Sequence, residues 1–70
     1  MITEITISYT GHGLGYNRYE GELTFTMCGD LTENTESNQD AICNRARREA
    51  IKKSACGYVS FDILNVKLVR

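Results

Sequence analysis

Only one stretch of this chain, residues 37–56, carries helical periodicity, and the segments before and after it alternate with period two. That contrast narrows the fold sharply. A lone amphipathic helix cannot bury its apolar stripe by itself, and a strand with one apolar face needs a cover. Placed at 100° steps, Ile42, Cys43, Ala46 and Ala50 share one stripe about 100° wide, and their small size suits a helix lying close to a sheet. Arg45, Arg48 and Lys52 fall on the opposite side with Ala41. Arg47 and Lys53 flank the stripe, where their stems can run along a sheet edge. Two start signals compete: Asp30 with Glu33, and Ser37 with Asp40. Ser37 is the better placed, because the apolar pattern begins at Ala41. Gly57 is the natural left-handed stop.

Ile5, Ile7 and Tyr9 alternate with Thr6 and Ser8, which predicts a half-buried strand over residues 2–9. Glycines at 11, 13 and 15 predict a hairpin loop over residues 10–18. Alternation resumes over residues 19–28, with Tyr19, Gly21, Leu23, Phe25 and Met27 on one face and Glu20, Glu22, Thr24, Thr26 and Cys28 on the other. Residues 29–36 connect to the helix, and residues 58–69 form the last strand. Its apolar parity switches from Val59, Phe61 and Ile63 to Leu64, Val66 and Leu68. Two readings account for the switch: a β-bulge near Leu64 and Asn65, or a second covered face at a subunit contact. A crossover through the helix makes the second and third strands parallel. With the first strand between them, the fold class is a small α+β domain, ββαβ, with an antiparallel sheet of order 2-1-3 and the helix on one face.

A chain of 70 residues is one small domain. A single core of this size supplies only about 3–5 kcal/mol. The open sheet face and two unpaired edges therefore lead to the expectation of a homodimer. Net charge is −1, which argues against a dedicated nucleic-acid binder. The charge is unevenly spread, at −6 over residues 1–40 and +5 over residues 41–70, a bias that complements the helix dipole. Three cysteines without a close pair suit a reducing compartment. There is no apolar run of membrane length and no leader-like start, so a cytoplasmic location without membrane association is expected.

No arrangement of residues reads as catalytic. His12 is the only histidine, and no serine or cysteine is tied to it by spacing. Gly11, Gly13 and Gly15 superficially match a phosphate-cradling loop, but they join two strands rather than a strand and a helix N-terminus. Cys28, Cys43, Cys56 and His12 form a zinc-ligand set by type only, since the cysteine spacings of 15 and 13 fit no zinc motif. No metal or cofactor is therefore expected. The strongest functional hint is the basic helix face, with Glu49 interrupting it and able to pair with Lys53. The expected function is non-enzymatic protein binding through Arg45, Arg48 and Lys52 of the helix and His12, Tyr16, Arg18 and Tyr19 of the loop. The alternative is nucleic-acid binding by the same helix face. The chain's size suits an accessory protein of a phage or mobile element.

Overall fold

The computed structural model describes residues 1–13 and 18–70. The element order is β1 (Ile2–His12), β2 (Arg18–Cys28), α1 (Glu36–Ser54) and β3 (Tyr58–Leu68). The three strands form one sheet of order β2-β1-β3, with both outer strands antiparallel to β1. The α+β reading with sheet order 2-1-3 is therefore the observed architecture. Each strand has 11 residues, so at about 3.4 Å per residue it spans about 37 Å. That length accounts for a long axis of 41 Å.

β1 is central, and its alternation decides the layering. Thr3, Ile5, Ile7, Tyr9 and Gly11 share the covered side of the sheet, with Tyr9 half-buried against the core, while Glu4, Thr6, Ser8 and Thr10 face the open side. Ile5 and Ile7 are 0% exposed, as are Ala46 and Ala50 of the helix; Ile42, Phe25, Val59 and Cys56 complete the core. The two buried alanines explain the close approach of helix to sheet, since a longer side chain at either position would hold the two layers apart.

The parity switch in β3 is a bulge. Thr6 pairs with Asn65 but Ile7 pairs with Ile63, so Leu64 has no opposite number on β1. The extra residue returns Val66 to the core side, opposite Ile5, and leaves Leu64 53% exposed.

Three sequence expectations need correction. β1 does not end at residue 9: Thr10, Gly11 and His12 pair with Glu20, Tyr19 and Arg18 on one side and with Ser60, Val59 and Tyr58 on the other. A glycine weakens a strand, but here pairing on both sides holds it in place. The helix is capped by Thr35 rather than Ser37 or Asp30. Thr35 Oγ1 accepts from the Asn38 N–H at 3.2 Å, while Asp30 Oδ1 accepts from Thr32 Oγ1 at 2.6 Å instead. The connector explains the choice. The buried Thr3 hydroxyl donates to the Gly29 carbonyl at 2.7 Å and accepts from the Leu31 N–H at 3.0 Å. This ties residues 29–31 to the sheet and sets where the chain can begin to coil. Finally, the left-handed stop is Ala55 (φ 58°), not Gly57. Its N–H donates to the Ile51 carbonyl at 2.8 Å, and the early turn brings Cys56 inward to its buried position.

Candidate functional site

The residues singled out by sequence fall into two groups, one at the end of the sheet where His12 pairs with Arg18 and one along α1. β1 and β2 meet at the hairpin end of the sheet, where Arg18, His12 and Tyr58 lie side by side across three strands on the open face. The His12 and Tyr58 rings are 5.4 Å apart between centroids and tilted by 48°. Arg18 Nη2 reaches Glu20 Oε1 at 3.2 Å, with both side chains well exposed. Tyr19 is on the other face, opposite Gly11. Tyr16 lies outside the described residues.

The helix end closes this region. Ser54 and Cys56 pack on Gly11 so tightly that a Cβ on Gly11 would sit 2.8 Å from Ser54 Cβ and 3.1 Å from Cys56 Sγ. An open depression of about 620 Å³ results, lined by His12, Tyr19, Tyr58 and the Ala55–Gly57 turn. Tyr58 is 70% exposed and Tyr19 51% exposed at its rim. By sequence alone Tyr58 is simply the first residue of the last strand. The available signal was parity: Tyr58 is out of phase with Val59, so alternation places its ring on the open face.

The helix group is less uniform than its spacing implies. Arg45 is not on a free solvated stripe. Its Nε donates to Glu49 Oε1 at 2.8 Å, and its guanidinium lies 5.9 Å from the Phe25 ring centroid. Glu49 is thus engaged by Arg45 rather than Lys53. Arg47 sits 5.9 Å from the Phe61 ring on the opposite flank, along the sheet edge. Two of the five helix bases therefore cover core aromatics from either side, a packing role as much as a charge role. Arg48 and Lys52 are exposed, and among the described residues neither forms an ion pair. Lys52 and Lys53 overhang a shallow groove of about 530 Å³ beside Glu22, Leu23 and Thr24 of β2.

The open face has the opposite sign. Glu22, Ser8 and Asp62 form one row across the sheet, and Glu20, Thr10 and Ser60 form the next. Among the described residues, no group of three or more histidine, cysteine or acidic side chains is arranged to hold a metal ion. The cysteines are unpaired thiols: Cys28 exposed, Cys43 half-buried and Cys56 buried. No helix among the described residues is long and apolar enough to cross a membrane.

Comparison with known protein families, curated proteins and solved structures gives no match.

Proposed function

We propose that this chain is a non-catalytic protein-binding module of the cytoplasm, and that its contact surface is the hairpin end of the sheet with the last turns of α1. The observation that carries this reading is the pair of exposed tyrosines, Tyr19 and Tyr58, bordering the depression against the helix end. Tyrosine is enriched at interfaces because it offers a large apolar ring and a polar tip at little conformational cost. His12 stacks beside Tyr58 and Arg18 pairs with His12, adding a hydrogen-bonding ring and a cation, so the expected partner presents acidic and apolar groups together. Unpaired thiols, one of them exposed, suit a reducing compartment.

The test is a pull-down from nuclease-treated source lysate with wild type, a Tyr19→Ser/Tyr58→Ser variant and an Arg48→Glu/Lys52→Glu variant. A protein retained at near-stoichiometric yield by wild type and lost by the tyrosine variant supports the reading. Equal retention by all three refutes it.

Nucleic-acid binding is the second reading, favoured by the exposed Arg48, Lys52 and Lys53. Three neutralised phosphates would give a salt slope of about −2.7 on a log–log plot for duplex DNA. A flat salt response, or no binding at low salt, removes it. The acidic rows on the open face weigh against this reading, because they would repel a backbone wrapping past the helix.

A further inference from the structure

β2 is an outer strand of the sheet, and one of its edges has no strand beside it among the described residues. The phase of its hydrogen bonds follows from one contact: the Gly29 N–H donates to the Met1 carbonyl at 2.8 Å, one step beyond the Ile2–Cys28 pair. Bonded and non-bonded pairs alternate in an antiparallel ladder. Odd-numbered residues of β2 therefore bond to β1, and Arg18, Glu20, Glu22, Thr24, Thr26 and Cys28 turn their N–H and C=O groups to the free edge. Ile2 agrees with this phase, since its N–H donates to Arg70 on the β3 side and its carbonyl accepts from Val69.

The two edges are protected unequally. β3 carries the Leu64 bulge and Lys67, both devices that interrupt pairing with another strand. β2 pairs with β1 over all 11 residues without a register shift, and it contains no proline and no lysine. Its core-side residues are also under-covered, because α1 lies chiefly over β1 and β3. Leu23 and Met27 remain half-buried and Tyr19 exposed.

We propose that two copies of this chain associate through antiparallel pairing of their β2 edges, centred on Leu23, to form a continuous six-stranded sheet. This centre avoids facing like charges and brings apolar side chains together. It sets Glu22 opposite Thr24 of the other copy, Glu20 opposite Thr26 and Arg18 opposite Cys28, so no like charges face directly. On the helix side it sets Leu23 against Leu23 and Tyr19 against Met27. Centring on Glu22 puts that carboxylate against its own copy, and centring on Gly21 puts Glu20 against Glu22. Like charges directly opposite destabilise a strand pair. In the chosen register the two Glu22 side chains are only diagonal neighbours, about 7–8 Å apart. The inference does not rest on the hairpin-end reading, although the two surfaces share Arg18 and Tyr19 at the start of β2.

The test is sedimentation equilibrium of the full chain over a wide concentration range, with two variants. Wild type is expected to reach twice the single-chain mass at high micromolar concentration. Thr24→Pro removes an N–H that faces the free edge and no backbone bond to β1, at the loss of one exposed hydroxyl contact between Thr24 and Thr6 (3.0 Å), and edge strands tolerate proline at such a position; it is expected to stay monomeric with an unchanged circular dichroism spectrum. Leu23→Cys places two thiols at a non-hydrogen-bonded pair, where Cα atoms about 4.5 Å apart suit a disulfide. With oxidised glutathione it is expected to cross-link to a covalent dimer, while wild type, whose exposed Cys28 faces Arg18, does not. A wild type that stays monomeric throughout, or a dimer that Leu23→Cys fails to cross-link, overturns the proposal. Should Thr24→Pro unfold, the cross-link alone decides.

Discussion

Replacing Gly11 by alanine gives opposite results depending on whether residue 11 lies in a glycine-rich loop or in a strand under the helix. In a loop, the substitution restricts the unfolded chain and stabilises by about 0.4–1 kcal/mol. In the structure, the new Cβ would meet Ser54 Cβ and Oγ at 2.8 Å and Cys56 Sγ at 3.1 Å. Relaxed carbon contacts are about 3.5–4.0 Å, so the overlap is about 0.7–1.2 Å. Ser54 cannot swing away, because its Cβ is fixed to the helix backbone and its Oγ donates to the Ala50 carbonyl at 2.8 Å. The last turn of α1 must move outward instead. Overpacking of this kind costs about 1–3 kcal/mol. Set against the entropic gain, a net loss of about 1–2 kcal/mol is expected. For a domain of this size each kcal/mol lowers Tm by about 4–8 °C, so the fall is about 4–16 °C. Thermal and urea denaturation followed by circular dichroism measure it, with an unchanged m-value confirming that compactness is retained. Ser54→Gly removes the clashing atoms, so a double-mutant cycle of the two changes should show a favourable coupling of about 1 kcal/mol or more. A Gly11→Ala variant at least as stable as wild type, or strictly additive mutations, refutes the seating of the helix end on β1.

Three other outcomes follow from the fold. Thr3→Val keeps the shape of a fully buried side chain but leaves the Gly29 carbonyl and the Leu31 N–H without their partner; a loss of about 2–4 kcal/mol is expected by urea denaturation. Ala55→Gly relieves a left-handed non-glycine residue and should raise stability by about 0.5–1.5 kcal/mol, read as a higher Tm. Asp30 is fully exposed, and hydrogen bonds from the Thr32 hydroxyl and then the Thr32 N–H hold its carboxyl below the ordinary aspartate range. A depressed folded-state value means that its small contribution is present above the unfolded value and lost as pH falls through the folded one. An NMR titration should place the Asp30 midpoint below that of a free aspartate, and Thr32→Val should move it back up.

The candidate site was only partly legible. Arg48 and Lys52 are exposed as their helical angle implies. Arg45 is drawn aside by Glu49 and Phe25, a contact that depends on how α1 lies across β2. Tyr58 joins His12 only because β1 continues to residue 12, and that pairing spans 46 positions of sequence. Spacing along a chain carries no information about such a neighbour.

By itself the sequence determined the element types, their order and the inward face of each strand, because periods of two and of about 3.6 are local properties of backbone geometry. It also marked the parity switch in the last strand and narrowed it to a bulge or a second covered face, and the register against β1 decided for the bulge. Only the tertiary structure decided where elements stop. Thr35 rather than Ser37 begins the helix because Thr3 holds the connector to the sheet. Ala55 rather than Gly57 ends it because Cys56 must turn into the core against Gly11. β1 runs on through two glycine-flanked positions because strands on both sides bond to it. A cap or a turn is worth about 1 kcal/mol, so burial of a neighbouring side chain outweighs the local preference and moves the boundary.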